Sequence, residues 1–395
     1  MHIRPVVAAR LSYVAAFGAV GAWLPYLPVY YQDRGLDLAT IGFLTALGAA
    51  AGLVSAPIWG AIADRYAGSP FVMAAGALLT AAAATAIALV DGIVPLAVAV
   101  VLASVAFAGT APTLDARALE TVGSDRNRYG RLRAWGSAAF IVVVAFTGAL
   151  VERAGITSIF VVYVGALLVL ALVSLPLRGD PNAPRLPRLD SIGVVLRHPP
   201  LMRFLPAVLL VWSASMAINW YFSIHLLNLG APGELVGSSW AIGALVEIPI
   251  MAAYPWLARR VGSVRLLVIG AGAFALRAVL LSLVTDPVLA AATMALHGVA
   301  FALVLVGGVT FVSRHAPEAT AATAQGVLSA ITFSVAMIVG PGVGSFVADR
   351  FGVTAMFTMA WTTSVVAIPV LWLAVRNPGP EPATVAPDQP MTTLQ

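Results

Sequence analysis

The sequence predicts an all-α membrane protein in which twelve transmembrane helices form two pseudo-symmetric six-helix halves. Of its 395 residues, 60% are hydrophobic and only 10% are charged, which leaves too little polar surface for a soluble domain of this size. Five identities also recur at a constant offset of 195 positions: Gly35 and Gly230, Gly42 and Gly237, Gly48 and Gly243, Ala63 and Ala258, Arg65 and Arg260. Two parallel copies of a six-helix unit predict a central cleft that opens to either membrane face, as is typical of secondary transporters.

Twelve apolar segments have about the 20 residues that a helix needs to cross a bilayer. They are predicted at 8–31, 40–62, 71–90, 93–117, 131–151, 156–177, 203–228, 234–257, 264–284, 287–312, 321–347 and 353–375. The two halves are therefore expected at 1–177 and 204–376, joined by a Pro- and Arg-rich linker at 178–203. Residues 377–395 lack apolar periodicity and are predicted to form a disordered tail.

The charged residues sort by side of the membrane. All 22 basic residues are arginines, and most of them fall at the termini and in alternate loops, whereas the intervening loops are mainly acidic. By the positive-inside rule, both termini and the linker are predicted to be cytoplasmic, in the plasma (inner) membrane. The net charge of +5 therefore predicts contact with anionic membrane lipid rather than with nucleic acid. The chain is expected to be a monomer.

Several function classes are disfavoured by what the sequence lacks. Without cysteine it has no disulfide, thiolate nucleophile or cysteine metal site. It contains no His-Glu-x-x-His, no Gly-x-Ser-x-Gly and no paired intramembrane aspartates, so we do not expect an enzyme. A chain without lysine cannot form the usual phosphate-binding loop, which excludes ATP-driven transport by this polypeptide. No cofactor and no metal site are predicted.

Three ionisable residues lie deep within predicted spans of the second half. A rise of 1.5 Å per residue places Glu247, Arg277 and His297 about 15 to 20 Å from a membrane face, so they can meet at one level. Buried charges are costly and usually face a cavity or one another. Asn219 is a further polar candidate in the seventh span. In the first half, Asp115 and Arg133 flank a short turn between two spans and can form either a binding pair or a structural ion pair.

A loop between the second and third spans resembles the signature of the major facilitator superfamily. It runs from Gly60 through Asp64 and Arg65 to Gly68, and in that family the acid and the arginine brace a gate. The match is incomplete: Gly68 comes one residue late, and Ser69 and Pro70 stand where basic residues are expected.

Other segments are similar to the lactose-permease and 3-phenylpropionate-permease branch of this superfamily. They are Gly21 to Pro28, Leu114-Asp115-Ala116, and Gly130 to Ser137. The resemblance implies substrate-binding roles for Asp115 and Arg133 and ring stacking by Phe140, and Trp23 is a further candidate lining residue. It also matches Glu247, Arg277 and His297 to a proton-coupling network. The sugar permeases carry a proton-accepting Glu one turn after the His, but Ala300 stands there in this chain.

The leading hypothesis is a proton-coupled symporter of a small organic solute. With Asp115 and Glu247 ionised, Arg133 and Arg277 positive and His297 neutral, the formal charges cancel, and protonation of Glu247 leaves one positive charge. Such a cavity suits a monocarboxylate entering with a proton, although a neutral sugar or nucleoside can also bind. The alternative is an efflux antiporter for amphipathic compounds. Such exporters usually carry a Gly-Pro motif in span five, which here contains no proline.

Overall fold

The computed structural model describes residues 5–66, 68–123, 126–179, 190–317 and 320–376. In these ranges the regular secondary structure is entirely helical, as predicted. The predicted tail at 377–395 and residues 180–189 of the predicted linker lie outside the described residues. The rest of the linker contains one short helix, α9 (Asp190–Arg197), and the next helix already begins at Pro199.

Eight helices precede the linker. They are α1 (Pro5–Trp23), α2 (Leu27–Asp33), α3 (Leu38–Arg65), α4 (Phe71–Leu89), α5 (Ile93–Phe107), α6 (Thr110–Val122), α7 (Arg126–Ala154) and α8 (Ser158–Val173). The break between α1 and α2 contains Pro25, which has no backbone N–H to continue the helix. The break between α5 and α6 lies at Gly109, where a Cβ would overlap the side chain of Trp59 on α3.

Eight more helices and one π-helical segment follow α9. They are α10 (Pro199–Asn228), α11 (Gly233–Val261), α12 (Ser263–Leu283), α13 (Pro287–Ala292), α14 (Met294–His315), α15 (Ala321–Ser329), the π-helical segment (Ala330–Val335), α16 (Ala336–Phe351) and α17 (Val353–Arg376). Within the described residues, eleven continuous or broken helices are long and apolar enough to span a membrane, and α8 is a shorter apolar helix of 16 residues. All twelve predicted spans therefore correspond to helices, and the multi-pass membrane fold is confirmed.

The repeat found in the sequence recurs in the geometry. Helices α3 and α11 begin 195 positions apart, and so do α7 and α15, and α8 and α17. Gly35 and Gly230, which the same offset relates, both adopt positive φ, at 78° and 86°. Positive φ is costly for residues with a Cβ, so glycine at both positions allows the same tight turn before α3 and α11.

The halves meet near one membrane face. We call the side where α1 begins the termini face and the opposite side the far face. The buried residues of α3 lie between Ile41 and Gly48, at its far-face end, except for Ser55. A Cβ on Gly42 would overlap the side chain of Ser345 on α16. Glycine therefore permits α3 and α16 to cross closely at the far face.

A second close crossing joins α7 and α11 at the far face. A Cβ on Gly237 would overlap the backbone carbonyl of Val144, and the Gly233 N–H donates to a carboxylate oxygen of Glu152 at 2.5 Å. Toward the termini face, by contrast, α3 is largely exposed or half-exposed from Val54 to Arg65. The described part of the molecule is therefore closed at the far face.

Candidate functional site

The first polar group of the interior belongs to the N-terminal half. The Tyr13 hydroxyl on α1 donates to a carboxylate oxygen of Asp115 on α6 at 2.5 Å. The Arg133 guanidinium on α7 lies over the ring of Phe17, 4.0 Å from its centroid, and 5.9 Å from the centroid of Tyr13. Asp115 and Arg133 are both half-buried. One aromatic face of α1 therefore holds both predicted binding residues.

The direct ion pair considered for Asp115 and Arg133 is not formed. Within the described residues no ion pair joins these two side chains; each instead contacts aromatic side chains of α1. Sequence proximity across the turn between α6 and α7 suggested a pair, but Asp115 accepts from Tyr13 and Arg133 lies against Phe17.

The second polar group centres on Arg277 of α12, whose side chain is fully buried at 0% exposure. Its Nη1 donates to the Asn219 side-chain oxygen at 2.6 Å, and its Nη2 lies 3.0 Å from the Met294 sulfur. His297 Nδ1 lies 3.5 Å from both Arg277 Nη1 and Asn219 Nδ2. The guanidinium also lies 4.9 Å from the ring centroid of Phe222.

In this arrangement the buried Arg277 guanidinium contacts an amide, a thioether and an aromatic face. Arg277 Nε is buried and has no hydrogen-bond partner among the described residues. A buried charge without a countercharge is strongly disfavoured, so an anion in reach of Arg277 would be stabilised. We call Arg277, Asn219, His297 and Met294 the buried cluster.

Glu247 departs from the expected neighbourhood. It is half-buried on α11, and its backbone lies beside Gly298 of α14, one residue after His297. Glu247 forms no ion pair with another described residue; the arginine that acts on its charge is Arg133 of the N-terminal half, whereas Arg277 bonds to Asn219. The depth of Glu247 follows from its position in the sequence, but its partner depends on the direction in which its side chain leaves the helix.

The remaining predicted residues are Trp23, Phe140 and those of the gating loop, and they lie outside the two polar groups described above. Trp23 stacks on Tyr163 of α8, with centroids 4.1 Å apart and planes at 19°, so part of its ring faces the packing of the N-terminal half. Phe140 is half-buried on α7, beside Gly21 of α1. In the gating loop, Gly60, Asp64 and Arg65 form the last turns of α3, and Gly68 follows in the turn. Arg65 lies 5.9 Å from the Tyr66 ring centroid.

The sequence interpretation missed the uncharged partners of these groups. Tyr13 and Phe17 are four residues apart on α1, and this spacing places them on one helix face. That signal was available, but it does not distinguish a binding face from ordinary packing. Met294 and Phe222 gave no signal at all, since apolar residues abound in every span. Arg117, on α6, is only 5% exposed and pairs with Glu120 at 3.3 Å.

Comparison with known proteins gives three informative matches. A maltose permease of Geobacillus stearothermophilus is 30% identical over 375 residues, covering 93% of this chain and 94% of that protein. A probable 3-phenylpropionic acid transporter of Escherichia coli (strain K12) is 28% identical over 272 residues, covering 66% and 70%. A solved structure of a mutant nucleoside transporter NupG matches with a TM-score of 0.83 at 20% identity, covering 94% of this chain and 99% of that one.

The structural match supports the fold, and the sequence matches support the transport class. Both sequence relatives are named as transport proteins, which agrees with the branch that the polar motifs resemble. Residues 8–359 match the MFS_1 like family, a span that includes every candidate site residue. The chain therefore belongs to the MFS_1-like family of the major facilitator superfamily and is a multi-pass membrane transporter.

Proposed function

We propose that this transporter is a proton-coupled symporter that imports a small organic monocarboxylate by alternating access. The observation that carries the substrate class is the environment of Arg277. Its guanidinium is fully buried and contacts neutral groups in the described structure. A carboxylate accepts two parallel hydrogen bonds from a guanidinium, so a monoanion would both neutralise the charge and satisfy Nε.

The proposed proton coupling rests on Glu247 and Arg133. These residues belong to opposite halves of the chain and interact electrostatically, so rocking of the halves about the far-face contacts would change their separation. Burial favours a neutral carboxylic acid, and a nearby arginine favours the carboxylate. A conformational change that separates them would therefore favour proton uptake by Glu247. His297 is a tuning residue in this scheme, and Ala300 leaves Glu247 as the proposed proton carrier.

A neutral sugar is the second candidate. The similarity to a maltose permease over 93% of the chain favours it, and so does the arrangement of Tyr13, Asp115 and Arg133. A carboxylate and a guanidinium can hydrogen-bond to sugar hydroxyls, and Phe140 lies on the same helix as Arg133. For either substrate, Asp115, Arg133 and Asn219 are proposed to contact it, and Trp23 is proposed to support the site by packing.

The substrate class is tested by binding and transport with the purified chain. Thermal unfolding is followed with aliphatic and aromatic monocarboxylates, maltose and nucleosides at two pH values, because a ligand that binds the native state raises the unfolding midpoint. Uptake of the stabilising compound is then measured in liposomes with an imposed pH gradient. Accumulation of a monocarboxylate toward the alkaline side supports the proposal. Stabilisation by maltose alone supports the sugar, and extrusion coupled to proton entry supports the antiporter.

The proton carrier is tested with Glu247→Gln, which imitates the protonated acid. We expect substrate exchange between the two sides of the membrane to persist, while accumulation driven by a pH gradient is lost. Asp33→Asn is a control with the same change of charge, because Asp33 is exposed at the end of α2 and forms no ion pair with another described residue. If Glu247→Gln still accumulates substrate in a pH-dependent way, Glu247 is not the carrier and His297 is the remaining candidate.

The orientation is proposed from the arginine distribution: both termini and the 178–203 linker face the cytoplasm of a monomer in the plasma membrane. In that orientation the far face is extracytoplasmic, so the described conformation faces inward. The cysteine-free chain provides a clean background for the variant Asn182→Cys. We expect this cysteine to resist impermeant thiol reagents in intact cells and to react after lysis. Labelling before lysis would reverse the orientation.

A further inference from the structure

A cavity of about 400 Å³ lies on the termini face of the C-terminal half. It is formed where the turn between α11 and α12 meets the ends of α14 and α17, so it is separate from the buried cluster. Six of the residues that line it are Gly262, Ser263, Arg265, Arg314, Trp372 and Arg376. None of these residues belongs to the proposed substrate-binding residues, the proposed coupling residues or the gating loop.

Three arginines are among the residues that line the cavity. Arg265, Arg314 and Arg376 come from three different helices, and all three are exposed. No Asp or Glu lines the cavity, and none of the three arginines forms an ion pair with another described residue. Three cations around one cavity repel one another. A bound anion would remove that repulsion, and guanidinium groups match phosphate oxygens in geometry.

The first turn of α12 adds to this field. Gly262 has a φ of 92°, and α12 begins directly after it, at Ser263. The free backbone N–H groups at a helix start, together with the helix dipole, attract anions. A helix of 21 residues therefore directs its positive end at the same cavity that the arginines line.

The cluster is peculiar to the second half. The positions 195 residues before Arg265, Arg314 and Arg376 hold Pro70, Leu119 and Pro181, so none of the three arginines has a basic counterpart in the first half. The first half therefore has no arginine at the positions that this offset relates to Arg265, Arg314 and Arg376.

The surroundings indicate which anion fits. Trp372 lines the cavity and is 37% exposed, as is common for tryptophan at a membrane interface. Beyond the cavity, the outer faces of α12 and α17 expose apolar side chains, including Ile269, Val366 and Leu373. We propose that this cavity binds the phosphate headgroup of an anionic phospholipid, whose acyl chains lie along α12 and α17. Basic pockets between membrane helices are suited to such headgroups.

Lipid binding is tested on the purified full-length chain by native mass spectrometry. The protein is titrated with phosphatidylglycerol, phosphatidylethanolamine or inorganic phosphate, and the variant Arg265→Gln/Arg376→Gln is compared with the wild type. We expect the variant to bind phosphatidylglycerol about 25-fold more weakly, since each arginine near the headgroup contributes roughly fivefold. Binding of phosphatidylethanolamine should not change. If the double variant does not fold, Arg376→Gln alone should give about a fivefold loss.

The matched control is Arg10→Gln/Arg197→Gln, which removes the same charge from exposed positions outside the cavity. It should bind phosphatidylglycerol like the wild type. Equal affinity of the wild type and the cavity variant, or an equal loss in the control, would overturn the proposal. Inorganic phosphate that binds through Arg265 and Arg376 while phosphatidylglycerol does not would identify a soluble phosphate as the ligand and overturn the lipid assignment.

Discussion

The N-terminal and C-terminal halves share a scaffold but hold their interior charges in different ways. In the first half, Arg133 is half-buried and lies on the Phe17 ring. In the second half, Arg277 is fully buried and bonds to Asn219. The Arg133 side chain is partly exposed in the described structure, whereas the Arg277 side chain is not exposed.

The repeat does not extend to these charges. At the offset of 195 positions, Asp115 is replaced by Thr310, and Arg277 corresponds to Ala82. The helix starts and turn glycines therefore follow the symmetry, while the polar groups break it. A symmetric scaffold is typical of transporters whose cleft opens to either side, and the differing polar groups give the two halves different chemistry.

The largest effect is expected for Arg133→Ala, which tests whether the partly exposed arginine of the first half binds substrate. If this guanidinium is an accessible binding group that donates two hydrogen bonds to the substrate, binding should be abolished, with a loss of at least about 100-fold, because each hydrogen bond to a charged group is worth roughly 1.5 to 3 kcal/mol. Folding should stay near normal, since the side chain is half-buried. Binding is measured by thermal shift or calorimetry once a ligand is identified.

Arg131→Ala is the matched control, because Arg131 is an exposed arginine two residues earlier on α7. It should bind substrate like the wild type. A folded Arg133→Ala protein with unchanged affinity would show that Asp115 and Arg133 are structural and that the site lies elsewhere.

Substitutions of Arg277 should change the stability of the protein as well as binding, because this side chain is fully buried. Arg277→Ala leaves a cavity and unpaired polar partners, so we expect the free energy of unfolding to fall by about 2 to 5 kcal/mol. Arg277→Met fills the space without a buried charge and should lie within about 1 kcal/mol of the wild type or above it. Both variants should lose monocarboxylate binding. Chemical unfolding in detergent measures the difference, and equal stability of the Ala and Met variants would contradict this account of the packing.

The smallest effects are expected at two aspartate helix caps, one in each half. The Asp37 carboxylate accepts from Thr40 N–H at 2.6 Å, and the Asp286 carboxylate accepts from Leu289 N–H at 2.8 Å. Replacing either residue by Ala should lower the free energy of unfolding by about 1 kcal/mol. A markedly larger loss at one cap would show that its aspartate does more than cap its helix.

Asp37 should also show a pH dependence. The Thr40 N–H stabilises its carboxylate and lowers the pKa of Asp37 below its ordinary value of 3.8. A lowered folded-state pKa means that the stabilisation is present above the unfolded pKa and is lost as pH falls through the folded pKa. The difference between wild type and Asp37→Ala should therefore be present at pH 6 and shrink below about pH 4. Thermal unfolding midpoints at both pH values check this.

Sequence reasoning located the helices well because length and apolarity determine a membrane span. It also placed Glu247, Arg277 and His297 at a common depth, because depth follows from residue count along a helix. It did not indicate that Arg133 acts on the charge of Glu247, because the direction of a side chain around the helix axis depends on how α7, α11 and α14 pack. Such packing depends on close crossings at residues such as Gly243 and Gly298, which the sequence shows only as small residues.

The close crossing at Gly237 lies near the far-face end of α11, so different parts of the helix lie at different distances from it. From Gly237 to Val261 the helix extends about 36 Å, and Glu247 lies about 15 Å along it. If α11 pivots at the crossing, a tilt of about 10° moves Val261 by about 6 Å and Glu247 by about 2.6 Å. Opening a passage for a small solute at one end thus requires a displacement at Glu247 comparable to a hydrogen-bond length. The position of Gly237 along α11 would therefore set the ratio between the displacement of Val261 and that of Glu247.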